Sequence, residues 1–242
     1  MIYKNLRIVS HSDEFIGWIE LDKNGIIVNL SRGNTESSGI DCKNHVLLPA
    51  FIDSHTHGGY GFSFDDFSDS CWEQNFLDYK EKLHKFEGVA AIFGTTITQQ
   101  WEKIKENSGF FLFLLNKYPN FLLNWYLEGP FISEKKKGAH NQNLIIKPKR
   151  DHFNFLAEKF NKKITVVVAP EKTSAKLIDS FYKTINFAIG HSNSFDFKKN
   201  HNLKKYYKFT HFLMDVQILT TENNHLSTLF LNQNYLKIFL LS

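Results

Sequence analysis

With 242 residues, 42% of them hydrophobic and 22% charged, the chain has apolar side chains enough for one large core or two small ones, and is too hydrophobic for general disorder. A net charge of +4, spread over many single lysines without an aromatic-basic motif, gives no ground for nucleic-acid binding, though it suits an anionic small substrate. Two cysteines, Cys42 and Cys71, cannot build a disulfide framework, the N-terminus lacks a signal-peptide pattern and the most apolar run, Phe110 to Leu115, is too short to span a bilayer, so a cytoplasmic protein without membrane contact is expected.

In chain order, residues 1–46 read as short strands ("KNLRIVS", "FIGWIELD", "GIIVNL") divided by polar and Gly turns, the pattern of a small antiparallel, β-sandwich-like part. From Leu47 the pattern changes to apolar strands alternating with amphipathic segments such as "CWEQNFLDYKEKLHKF" and "AKLIDSFYKT". Strands are expected at Leu47–His55, Val89–Thr98, Leu122–Gly129, Ile164–Glu171, Asn186–His191 and Lys208–His211, with Phe51 and Ile52 buried in the first. Six β/α units fall short of the eight, and the roughly 250 residues, of a complete barrel. The expected fold is therefore α/β, an incomplete (β/α)8 TIM-type barrel over 47–211, followed by an unmatched tail over 212–242.

Each expected strand ends in chemically loaded residues. In "LLPAFIDSHTHGGYGFSFDD" the i and i+2 positions His55 and His57 share a face where the strand opens into a glycine loop, which suits a metal or simply two polar residues at a strand end. The next strands end in "GTT", in Glu128 of "LEGP", in Glu171 of "APE", in His191 of "GHS" and in His211 of "TH". Parallel barrels open all their strand C-termini on one face, so five potential ligands at four ends (His55, His57, Glu128, His191, His211) favour a metal site. Imidazoles with a carboxylate suit Zn, Fe or another first-row divalent ion, one or two in number, and the reaction class is hydrolysis of an amide or related bond. Glu128 stands where it can bridge two ions; its alternative is to cap the following turn.

The motifs "FIDSHTHGGYG", "GTT", "LEGPFISEKKKGAH", "VVAPE", "GHSN" and "TH" occur in the order and spacing of the amidohydrolase superfamily, and more narrowly the stretch from about 45 to 211 resembles the N-acetylglucosamine-6-phosphate deacetylase family. The resemblance implies deacetylation of a phosphosugar, with metal ligands on Glu128, His191 and His211, a second-metal pair on His55 and His57, a substrate contact through the backbone of Ala139, and a homo-oligomer. It gives no role to His140 or Asn141, and His11, His45, His84, His152, His201 and His225 match no motif. After "FTH" the chain departs from the family: the Asn-Ala pair on the phosphate and the Asp that moves the proton are not found. The tail reads as a frameshift product or a divergent end, and turnover below the enzymatic range is the expectation. Two other readings stand beside this one. One is a non-catalytic remnant that binds metal; the other is a cyclic-amide hydrolase, which should carry a metal-bridging Lys where Glu128 stands.

Overall fold

The computed structural model describes residues 1–193, 206–209 and 238–241. It divides into two compact units, and the division falls inside the first parallel strand, after Ile52. The first unit is built on β1 (Ile2–Val9), β2 (Glu14–Leu21), β3 (Ile27–Arg32), β4 (Ile40–Asp41) and β5 (Val46–Pro49). β1, β2 and β3 form an antiparallel meander, as their alternating pattern predicts. The sheet as a whole is mixed rather than antiparallel, because β4 and β5 return parallel to β1 and the strand Ile238–Leu241 adds antiparallel to β5. Leu6, Ile8, Ile19, Cys42 and Leu47 form its core.

The second unit carries the parallel sheet. Its strands are β6 (Phe51–Thr56), followed by the short pair β7 (Gly58–Gly59) and β8 (Phe62–Ser63), then β9 (Val89–Thr96), β10 (Leu122–Leu127), β11 (Ile164–Val168), β12 (Asn186–Ile189) and β13 (Tyr206–Phe209). β6, β9, β10, β11, β12 and β13 lie side by side in that order, and from β9 to β13 each pairs in parallel with the next. Helices α1 (Trp72–Lys82), α2 (Trp101–Lys117), α3 (Arg150–Phe160) and α4 (Ala175–Phe181) fill the connections up to β12. This is the sequential strand and helix order expected from Leu47 onward.

The single strand expected over Leu47–His55 is instead two. Pro49 ends β5, which pairs with β1 in the small sheet, and β6 begins two residues later in the parallel sheet. Phe51 and Ile52 are 59% and 44% exposed rather than buried, since among the described residues β6 is the edge of its sheet. In contrast, "ITVVV" of β11 is buried at every position, the signature of a strand covered on both faces.

Strand alternation sorts side chains between two faces. Tyr126, Val167 and Ala188 pack on one with Ile132, Phe93 and Ile145. On the other, Trp125 stacks on Phe111 of α2 at 4.5 Å, and Phe111 stacks in turn on Phe64. The helices meet the sheet through spaced apolar residues, Ile104, Phe111, Leu114 and Leu115 in α2 and Phe153, Leu156 and Phe160 in α3. The "GTT" of β9 belongs to this packing: Thr96 Oγ1 accepts the Trp125 indole N–H at 2.9 Å, and Gly94 lets Phe64 cross the strand. At the strand N-termini, the carboxamides of Asn124 and Asn186 both donate to the Lys162 carbonyl, and the Lys162 ammonium donates to the Tyr182 carbonyl near the end of α4.

A Cβ at Gly94 would stand 2.6 Å from Cε1 of the fully buried Phe64. Gly94→Ala should therefore cost about 1–3 kcal/mol through overpacking. Gly109→Ala, in α2 with nothing within 4 Å of its added Cβ, should be neutral or stabilising by up to about 1 kcal/mol. Urea unfolding midpoints of the two variants test this contrast, and equal midpoints would contradict the Phe64 packing.

Candidate metal centre

The site lies in the second unit, at the C-terminal ends of its strands. His55 is near the end of β6 and His57 just past it, Glu128 directly follows β10, and His191 stands two residues beyond β12. The end of β6 is fixed by the hydrogen bond between Thr56 Oγ1 and the Tyr79 hydroxyl at 2.9 Å. Glu128 is held by its own N–H on the Thr96 carbonyl at 2.9 Å, and the chain turns sharply behind it at Gly129, whose φ of +86° suits glycine alone. A Cβ at Gly129 would also stand 1.9 Å from Thr98 Oγ1. The "EGP" of the motif thus encodes a carboxylate followed by a close approach of two strand ends.

Glu128 is the centre of the cluster, with a side chain only 2% exposed. Its Oε2 faces His57 Nε2 at 3.3 Å and His55 Nε2 at 3.5 Å, while its Oε1 faces His191 Nε2 at 3.0 Å. Burial alone would push this carboxyl up. The hydrogen bonds from His191, His55 and His57 outweigh it and hold the carboxyl well below the usual carboxylate range. In return, the hydrogen bond to Glu128 raises His57 above the ordinary imidazole value, against the opposing pull of its burial.

Hydrogen bonding on the far side of each ring decides what that ring can do. His191 Nδ1 lies 2.9 Å from the Lys136 carbonyl, which can only accept, so Nδ1 carries a proton. In the neutral ring the lone pair is then on Nε2, aimed at a carboxylate oxygen 3.0 Å away. Two acceptors at that distance repel unless a proton or a cation lies between them. A backbone carbonyl on the outer nitrogen is also the usual arrangement behind a metal-ligating histidine. Together with the two further imidazoles, this donor set suits a first-row divalent ion.

His140 stands within the same distance range, its Nε2 3.9 Å from Glu128 Oε2, yet its protonation is the reverse. Its Nδ1 accepts the Thr98 backbone N–H at 3.1 Å and lies 2.8 Å from the Thr98 hydroxyl. A nitrogen that accepts a backbone N–H is unprotonated, so the neutral ring carries its proton on Nε2, facing the cluster. By distance His55, His57 and Glu128 form one group able to hold a metal, and Glu128, His140 and His191 another. The tautomer removes His140 from the ligand set and makes it a buried N–H donor at the edge of the site.

Four of the five expected ligands are therefore brought together, and His211 lies outside the described residues. Ala139 is exposed on the loop just before His140. Two participants carried no signal at strand spacing. His140 sits on a loop and is fixed by Thr98, 42 residues away, so only its place in "KKGAH" marked it. Asp65, pushed up chiefly by burial, accepts the Ile97 N–H at 2.9 Å and the Gln99 carboxamide, bracing the loop after β9. Glu171 is not in the cluster; it accepts from Ser192 and Asn193.

No family model matches the chain. It is 28% identical over 156 residues to the N-acetylglucosamine-6-phosphate deacetylase of Haemophilus influenzae, an alignment covering 64% of this chain and 40% of that enzyme. Among solved structures, the enzyme of the same name from Thermotoga maritima superposes with a TM-score of 0.63 at 29% identity, over 79% of this chain and 49% of the other. That from Pasteurella multocida gives 0.68 at 25% identity, over 80% and 51%. The chain thus spans about half the length of the relatives it matches. Over that shared length, where the His-x-His pair, the "LEGP" glutamate and the "GHS" histidine converge on one point, the chain is similar in sequence and in fold to the N-acetylglucosamine-6-phosphate deacetylases.

Proposed function

We propose that this chain carries the metal-binding part of a site that hydrolyses the acetamide of N-acetylglucosamine 6-phosphate, releasing acetate and glucosamine 6-phosphate, on an incomplete (β/α)8 barrel of about six units with a small sandwich-like N-terminal part. The observation that carries the reading is the convergence of three imidazoles on one buried carboxylate, with His191 Nε2 3.0 Å from Oε1, where a proton or a cation must lie between them, and His55 and His57 on the other oxygen, a donor set that suits a divalent ion. Glu128, His191 and His211 would hold the primary ion, and His55 and His57 a second, with Glu128 between them. When bound, such an ion supplies polarisation of the amide carbonyl and a water acidic enough to react near neutral pH.

The chain's own residues supply the rest of the reading. His140, with its proton fixed on Nε2 and its side chain buried, is disposed to donate to the acetyl oxygen as negative charge develops there. The loop backbone around Ala139 offers the sugar a small, exposed contact surface next to that donor. The lysines of "EKKK" on the same loop suit the charge of a phosphosugar. No described residue is assigned the transfer of the proton to the leaving amine.

Metal analysis distinguishes ligands from their neighbour. Glu128→Gln should remove most bound Zn or Co, and His55→Ala with His57→Ala should remove one equivalent at most. His140→Ala should leave metal content unchanged, because its lone pair faces away from the cluster. Equal metal content in the Glu128 and His140 variants would refute the ligand assignment.

Acetate release from N-acetylglucosamine 6-phosphate by metal-loaded protein tests the reaction. Release should stop on chelation and in Glu128→Gln. It should fall about 10²-fold or more in His140→Ala, the effect of removing one donor to a developing oxyanion. The absolute rate is expected from the sequence to lie below the usual range of about 1–10³ per second. Metal-loaded protein that releases no more acetate than Glu128→Gln would overturn the deacetylase reading and leave the metal site standing.

A further inference from the structure

His191 occupies a backbone conformation that few side-chained residues adopt, with φ at +47°. Three sets of hydrogen bonds keep it there. The Ser133 N–H donates to its carbonyl at 2.9 Å, and its ring Nδ1–H donates to the Lys136 carbonyl at 2.9 Å. Both partners lie on the loop after β10. The third set comes from a different loop, after β11: the Glu171 carboxylate accepts the Ser192 hydroxyl at 2.6 Å on Oε2 and the Asn193 backbone N–H at 2.7 Å on Oε1. The two loops are themselves joined by Lys172 Nζ on Glu134 at 2.5 Å.

We infer that Glu171 is a positioning residue that sets the ring orientation of His191 by clamping the two residues that follow it. The carboxylate spans Ser192 and Asn193 with both oxygens, and ionised acceptors form the shorter and stronger class of such bonds. Ser192 is buried, 8% exposed, so its bond to Glu171 is shielded from water. Without the clamp, the segment after β12 is free to leave the left-handed region, and the ring loses its register between Lys136 and Glu128. The clamp explains why "APE" and "GHSN" appear together in one site: the first motif holds the second.

The consequence for metal affinity rests on the metal-site reading above; the consequence for the ring does not. Two measurements on the full chain separate them. In metal-free protein at a pH high enough to remove the proton shared between Nε2 and Glu128, long-range 1H–15N spectra of the imidazoles should show His191 as a single Nδ1–H tautomer. In Glu171→Ala that signal should move toward the tautomer-averaged position. In Co(II) titrations Glu171→Ala should bind about 10-fold or more weakly, the loss typical when a partner that orients a ligand is removed. Glu171→Gln should recover both readouts to within about threefold of wild type, because its carboxamide oxygen still accepts the Asn193 N–H, while thermal melting should be alike in the two variants. Should Glu171→Ala not fold, Glu171→Met fills a similar volume without an acceptor and is judged by the same spectra and titration. A Glu171→Ala protein with the wild-type His191 signal and wild-type Co(II) affinity would overturn the inference. Wild-type protein that takes up no Co(II) would overturn the metal reading alone, and the tautomer signal would still decide the role of Glu171.

Discussion

A carboxylate with almost no access to water, surrounded by imidazoles, is the constraint on which the rest of the second unit depends. Taking an ion of this kind out of water costs several kcal/mol unless partners compensate it. Glu128 meets that condition only because three chain segments, the end of β6 and the loops after β10 and β12, deliver four rings to the same few ångströms. Many local features follow from that requirement. The left-handed Gly129 aims the chain away behind the carboxylate, and Thr98 approaches it too closely for any side chain there. The Thr56 to Tyr79 bond fixes the His-x-His strand end, and Asp65 braces the loop that contains Thr98.

Much of the parallel sheet was legible because its signals are local. β-branched runs such as "ITVVV" and spaced apolar residues in the helices report burial directly, and the strand ends could be read as one face once the parallel order was accepted. The break after Pro49 was not legible in that way, since both halves of the run are apolar and only pairing assigns them to different sheets. The exposed Phe51 and Ile52 mislead for the same reason: hydrophobicity says nothing about which strand is an edge. The return of β4 and β5 parallel to β1 was not legible either, since the Gly, Asn and Ser residues of 33–39 and 43–44 mark turns without saying which strand the chain pairs with next.

The site divides along a similar line. Residue type and spacing single out His55, His57, Glu128 and His191, because ligands must be of those types and must sit at strand ends. Whether a histidine offers a lone pair or a proton depends on what stands behind its ring, and that partner is distant in sequence. His191 and His140 are chemically identical residues about equally buried, yet a carbonyl behind one and an N–H behind the other give them opposite roles. No pattern in the chain records this difference, which exists only in the fold.

The strand N-termini are organised on other terms. There the carbonyl of Lys162 collects the carboxamides of two separate strands while the Lys162 ammonium reaches a carbonyl at the end of α4, so a single residue joins β10, β12 and a helix. This knot shares no side chain with the ring cluster at the opposite ends of the same strands. The sheet is therefore built like a vice fixed at its base: the jaws can be refitted for different chemistry, one loop at a time, while the base keeps its register. A substitution among the rings therefore leaves untouched the contacts that tie the strand starts together.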